Sequence, residues 1–304
     1  MNILLTGASG FLGSRIYRTL ALEHTITTLG RTPIHSRHIR CNLAEQVPLL
    51  PNESYDIIVN VAGKAHSVPR TALERADYQR INVQGTVHFL TALEYLSILP
   101  KSLVHISTVL VYGCSMGELL PETTPLQATD AYGFSKIEAE MLMCEWAERK
   151  GIRLSILRLP LIVAEQPKGN LAAMLKAIRH GYYIRIGTGL ARRSMVRADD
   201  VADVITRVAE VGGIYNLTDG CHPTICELEN ALARYTGRSR PIPSMPVPFT
   251  KALARVGDGI NSLVCRRFPL DSIAFQKLTN TLTFSDDLAR QKLEWNPRPV
   301  LDLF

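Results

Sequence analysis

What most limits the fold of this chain is its opening stretch, MNILLTGASGFLGSRIYRTLA, residues 1–21. Ile3, Leu4 and Leu5 form an apolar run that stops at Thr6 and Gly7. From Ser14 the pattern turns helical, with Ile16, Tyr17 and Leu20 on one face. Between the two, Gly7, Gly10 and Gly13 stand in G-x-x-G-x-x-G spacing. A strand, a glycine turn and a helix start together make an anion site. The amides of a first helical turn have no intrahelical acceptors, and the helix dipole adds positive charge there. Gly7 permits the tight turn, Gly10 lets a diphosphate approach the backbone, and Gly13 lets the helix close on the strand. A plain glycine-rich β–α loop has the same composition. The reading therefore rests on strand, turn and helix occurring together.

The 304 residues suit a dinucleotide-binding domain plus a smaller one, and 46% hydrophobic with 20% charged residues is ordinary for a globular enzyme. The longest apolar runs, 57–61 and 156–163, are far shorter than the ~20 residues of a spanning helix. The chain opens on a strand rather than a charged-then-apolar leader, so a cytoplasmic protein is expected. Cysteines 41, 114, 144, 221, 226 and 265 show neither C-x-x-C nor Cys/His spacing and read as reduced packing residues, with no metal site. The formal charge is +6 and the pI near 9.0. No nucleic-acid motif accompanies that charge, and the arginines lie beside the nucleotide motifs, which points to a small anionic substrate such as a nucleotide diphosphate.

Along the chain, residues 24–29 read as a second strand followed by Gly30 and Arg31. An acidic residue there binds a ribose 2′-hydroxyl, whereas an arginine suits a 2′-phosphate. Arg31, with Arg37 and Arg40 close behind and no acidic neighbour, favours NADP, with NAD second. Residues 38–43 read as a third strand carrying Asn42 and Leu43 toward the adenine. Residues 55–62 form a near-continuous apolar run, as a parallel strand buried on both faces should. They end in Val61, Ala62 and Gly63, small enough for a cofactor to pass close. A helix is expected from about Ala72 through Val83 and beyond Gly85. Asn82 in its middle is a poor helix former and reads as a surface residue. Residues 103–107 form a strand running into Ser107 and Thr108, hydroxyls at the end where open α/β sheets bind ligands. Tyr132-Gly-Phe-Ser-Lys136 opens the next helix, and i, i+4 spacing puts the phenol and ammonium on one face. A neighbouring ammonium lowers a phenol's pKa, so Tyr132 reads as general acid/base and Lys136 as its partner and a ribose anchor.

On these residues the chain resembles an extended short-chain dehydrogenase/reductase of the NAD-dependent epimerase/dehydratase family. The matching stretches are TGASGFLG (6–13), VNVAG (59–63), INVQGT (81–86), HISTVLVYG (105–113) and YGFSK (132–136). The resemblance implies an α/β architecture, a Rossmann doubly wound parallel sheet with a smaller C-terminal α/β substrate domain. It divides the chain into 1–164 and 165–304, with part of 195–220 returning to the sheet. It assigns Thr108, Tyr132 and Lys136 to catalysis. The cofactor set is Gly7, Ser9, Gly10, Phe11, Leu12, Gly13, Arg31, Asn42, Leu43, Val61, Ala62, Gly63, Ser107, Tyr132, Lys136 and Leu159. For substrate it marks Thr108, Asn170 and Arg193; by their place in the loop after the fourth strand, Lys64 and His66 read as reaching the sugar, with solvent exposure the alternative. A homodimer through the helices near 84–97 and 132–148 is expected by the same analogy.

Further on, 152–163 reads as one buried strand, Asp199, Asp200 and Asp203 as helix caps, 213–217 as a strand, and 222–236 as mainly helix with His222 in the turn. Residues 241–249 read as extended. Residues 251–267 form an amphipathic segment ending in two arginines; a helix covering the sugar pocket is expected, with a membrane-surface helix the alternative. The family implies hydride exchange at C4 of a UDP-linked sugar. Val109 and Leu110 lack the acidic pair of 4,6-dehydratases. Arg31 and the RRSMV stretch (192–196) favour an NADPH-dependent 4-keto-sugar reductase of surface polysaccharide synthesis, with an NAD-dependent 4-epimerase as the alternative. A non-catalytic dinucleotide sensor is a third reading, which the presence of both Tyr132 and Lys136 disfavours.

Overall fold

The computed structural model describes residues 1–65, 69, 71–263 and 271–304. Its centre is a sheet of seven parallel strands: β1 (Asn2–Thr6), β2 (Thr25–Gly30), β3 (His38–Arg40), β4 (Ile57–Asn60), β5 (Ser102–Thr108), β6 (Arg153–Leu159) and β7 (Gly213–Asn216). The spatial order is β7-β6-β5-β4-β1-β2-β3, which reverses direction beside β1. Such a switch point leaves a crevice at the carboxyl ends of the strands. All six neighbouring pairs run parallel, with Thr6 opposite both Leu29 and Asn60.

The opening apolar run splits between two cores because side chains alternate across a sheet. Ile3 and Leu5 pack with helix α1 (Phe11–Leu20) and with residues of 198–209. Leu4 packs on the opposite face with Phe89, Leu93, Met143 and Trp146. All three of its residues are fully buried, each contributing about 1.5–3 kcal/mol.

The helix expected from Ala72 is three segments: α2 (Ala72–Tyr78), a π-helical turn (Gln79–Gln84) and α3 (Gly85–Glu94). Asn82 lies within the π turn and is buried, which corrects its assignment to the surface. The strand expected over 152–163 is two, because Pro160 has no N–H to continue the ladder. Leu161–Val163 leaves the main sheet and pairs with Met195–Arg197. Helix α4 (Ala131–Lys150) carries the Tyr–Lys pair and is capped by the Asp130 carboxylate, which accepts from the amides of Tyr132 and Gly133.

Beyond β6, α5 (Gly169–His180), α6 (Ala198–Asp203), α7 (Ile205–Val211) and α8 (Ile225–Tyr235) follow, then α9 (Val247–Leu263), α10 (Ser272–Thr279) and α11 (Asp287–Leu293). The aspartates of α6 do not cap it. Asp199 pairs with Arg15 at 3.0 Å, and buried Asp200 accepts from the Arg298 backbone amide and guanidinium. The 241–249 stretch is extended only in part: Ser244–Met245 pairs with Arg185–Ile186, and helix begins at Val247, where Pro248 suits a first turn. Five of the cysteines are free thiols; Cys265 lies outside the described residues.

Candidate active site

The turn after β1 is held from below. Thr6 Oγ1 accepts from the amides of Val61 and Ala62, at 3.1 and 3.0 Å, and donates to Asn60 Oδ1 at 2.6 Å. This draws the end of β4 so close that a Cβ on Gly7, whose φ is +70°, would lie 2.8 Å from Ala62 N. A Cβ on Gly13 would lie 2.1 Å from Gly7 O, so only glycine lets α1 sit this near the turn. No side chain caps α1 and no acidic residue lies in its first turn. The amides that follow Gly10 are thus left to an anion from outside the chain.

Above this turn opens a cleft of about 680 Å³. Gly7, Ser9, Gly10, Phe11, Leu12 and Gly13 form its floor. Arg31, Asn42 and Leu43 line one end, and Val61, Ala62, Gly63 and Lys64 a wall. Ser107, Thr108, Tyr132, Lys136 and Leu159 close the other end. A volume in the several-hundred Å³ range, a glycine floor and an uncapped helix start fit a dinucleotide. When bound, such a group supplies or accepts a hydride.

Two sequence-marked residues lie elsewhere. Asn170, at the exposed start of α5, does not line the cleft. Arg193 does not either: its guanidinium donates to the carbonyls of Asn280 and Lys277, satisfying the end of α10. Lys64 reaches the wall, but its ammonium is tied to Asp77 at 3.0 Å. His66 and residues 264–267 lie outside the described residues. No described residue of α9 lines the cleft.

At the catalytic end, burial outweighs the expected phenol–ammonium coupling. The Tyr132 phenol is pushed up to about 12 by desolvation, with a hydrogen bond to Thr108 pulling the other way. Lys136 is not what tunes it. Its ammonium is buried, donates to Ile106 O at 2.7 Å and lies 3.1 Å from His105 Nε2. Desolvation brings Lys136 down to about 8, with Glu140 opposing. His105 Nδ1 lies 3.1 Å from the Asn60 amide, so a buried chain runs Lys136–His105–Asn60–Thr6 and ends under the glycine turn. His105 itself is held well below the usual imidazole range, first by desolvation and then by Lys136.

A second buried group supports the hydroxyl strand. Ser107 Oγ donates to Glu140 Oε1, and Arg158 pairs with Glu140 at 2.7 Å while also donating to Tyr112 Oη. Asn82 Oδ1 accepts from Lys64 N at 2.7 Å and its amide donates to Ser135 Oγ at 2.9 Å, joining the 61–65 wall to α4. Sequence reasoning gave none of Asn60, His105, Glu140 and Arg158 a role. The available signal was a polar residue inside an otherwise apolar parallel strand: Asn60 ends IIVN, His105 sits in LVHIS and Arg158 in ILRL. A polar group buried on both faces must find a partner.

The model of the NAD dependent epimerase/dehydratase family matches residues 3–218, well over half the chain. The chain belongs to that family. Among its relatives is the N-acetyl-alpha-D-glucosaminyl-diphospho-ditrans,octacis-undecaprenol 4-epimerase of Escherichia coli O157:H7, 28% identical, covering 93% of this chain and 87% of the relative. The GDP-6-deoxy-D-mannose reductase of Pseudomonas aeruginosa is 27% identical over 76% of this chain and 79% of its own. In fold, the chain is similar to UDP-glucose 4-epimerase from Thermotoga maritima, solved with UDP-glucose, at a TM-score of 0.74 and 19% identity, covering 100% and 96% of the two chains. The protein is therefore an enzyme, a member of a family of NAD(P)-dependent epimerases, dehydratases and reductases.

Proposed function

We propose that the enzyme is an NADPH-dependent 4-keto reductase of a nucleotide-linked sugar. The observation that carries this is Arg31. It follows β2 directly, lines the cleft, and among the described residues makes no ion pair or hydrogen bond. Its guanidinium is free for a 2′-phosphate, which it would bind bidentately. A phenol protonated at neutral pH is the form a proton donor needs. In this reading Tyr132 would donate a proton to the C4 oxygen, Thr108 would orient that oxygen, and Lys136 would hold the nicotinamide ribose of a bound dinucleotide. Floor, wall and strand-end residues of the cleft hold the dinucleotide. Asn170 is kept as a substrate contact, and Arg193 joins it once the Lys277 and Asn280 carbonyls release its guanidinium. Exposed Tyr95, Ile98, Phe134 and Met141 on or beside α3 and α4 favour a homodimer through that face.

A 4-epimerase holding NAD is the second reading, favoured by the Escherichia coli relative that matches most of the chain and acts on a diphosphate-linked sugar. The first experiment is to denature freshly purified protein and separate any released dinucleotide. An empty protein that then binds NADPH far more tightly than NADH supports the reductase. Stoichiometric NAD together with interconversion of 4-epimers in the absence of added cofactor would replace it by the epimerase.

A further inference from the structure

Helix α9 presents three faces. Thr250, Ala254 and Gly257, spaced at i, i+4 and i+7, turn inward. At about 100° per residue, Phe249, Ala252, Val256 and Ile260 fall on a separate stripe about 80° wide. The three large residues of that stripe are exposed: Phe249 by 61%, Val256 by 57% and Ile260 by 36%. Lys251, Arg255 and Asp258 project from the third face, all exposed, with the Asp258 carboxylate accepting from the Ser272 amide. A globular helix normally turns one apolar face to the core, and a second, outward one calls for a partner.

The surroundings say what kind. Residues 230–257 contain Arg234, Arg238, Arg240, Lys251 and Arg255 and no Asp or Glu. Residues 166–198 contain Lys168, Lys176, Arg179, Arg185, Arg192, Arg193 and Arg197, again without a single acid. The fold brings the two stretches together: Ser244–Met245 pairs with Arg185–Ile186, and Arg238 Nη1 donates to Ile178 O at 2.9 Å. Lys176, Arg179, Arg234, Arg240, Lys251 and Arg255 are all exposed, and among the described residues none of them is in an ion pair. The same stretches add exposed Tyr182, Ile184 and Leu190.

From this juxtaposition we propose that α9 and the acid-free surface beside it form a membrane-docking face, which takes the anionic headgroups of a bilayer while Phe249, Val256 and Ile260 enter the headgroup–acyl boundary. An interfacial helix binds by apolar insertion together with cationic attraction to anionic lipid. The helix is too short and too charged to span, and among the described residues no helix is long and apolar enough to cross a membrane. Docking is therefore peripheral and weakens with salt.

The test is flotation of the full chain with vesicles of phosphatidylglycerol and phosphatidylethanolamine, against vesicles of phosphatidylcholine alone. Binding to the first only is expected, with loss at high ionic strength. Lys251→Glu with Arg255→Glu should weaken it at least about tenfold, since each surface cation contributes about 1 kcal/mol. Phe249→Ser with Val256→Ser should abolish it while the thermal transition and dinucleotide binding stay unchanged. Absence of binding to the anionic vesicles overturns the proposal. So does binding that survives both double variants, or a concentration-dependent dimer that the Phe249 and Val256 changes dissociate, which would make a second copy the occupant.

Discussion

Lys136 Nζ lies 3.1 Å from His105 Nε2, a buried contact that connects the catalytic helix to the middle of the sheet. The lysine's position is thereby set by β5 as much as by its own helix. His105→Phe keeps a planar ring, slightly larger, but removes the acceptor, leaving the ammonium with Ile106 O alone. A loss of about 1–3 kcal/mol in denaturant unfolding is expected. A positioning role adds a second readout: the pH profile of kcat should shift, while KM for the sugar changes little.

The lowered pKa of Lys136, about 8 against an ordinary 10.5, gives stability a pH dependence of known sign. Between those values the unfolded chain holds the proton and the folded chain does not. Stability conferred by this group therefore rises with pH across about 8 to 10.5, by up to a few kcal/mol. Lys136→Met should flatten that rise in unfolding free energies measured from pH 7.5 to 10.5.

With its phenol near 12, Tyr132 is protonated throughout the neutral range. Tyr132→Phe should leave the fold and dinucleotide affinity intact and lower kcat by about 10²–10⁴. Turnover close to that of the unmodified enzyme would show that another group delivers the proton.

Arg31 is predicted to set the cofactor. Arg31→Asp removes the guanidinium and places a carboxylate where a ribose hydroxyl can use it. NADPH affinity should fall by about 10–100-fold, the range of a hydrogen bond to a charged group, while NADH affinity holds or improves. Titration of nicotinamide fluorescence with both cofactors reads this directly.

Glu140 and Arg158 are both buried, their side chains exposed by only 4% and 5%. Arg158→Met leaves the carboxylate without its cation and should destabilise by about 3–5 kcal/mol in chemical denaturation. The paired change Arg158→Met with Glu140→Leu should recover much of that stability. It should still lower kcat, because Ser107 loses its acceptor beside Thr108.

The local pattern of the chain by itself determined the sheet, the glycine turn and the Tyr–Lys helix. Each is written in short-range periodicity: Ile3–Leu5 alternating between two cores, glycines where a Cβ has no room, and i, i+4 spacing on α4. These are properties of neighbouring residues, so they can be read without knowing what packs where. Tertiary structure alone decided the rest. Asn82 looks like a surface residue until the π turn carries it 2.7 Å from Lys64 N. Lys136 looks like the partner of Tyr132 until β5 supplies His105 and Ile106 O. Arg193 matches a diphosphate position, yet the end of α10 takes its guanidinium. The stretch from 251 shows its amphipathic character in sequence, but only packing reveals that Phe249, Val256 and Ile260 of α9 stay outside. A polar or charged side chain acts through whatever lies within about 3 Å, and in this chain those partners are tens of residues away.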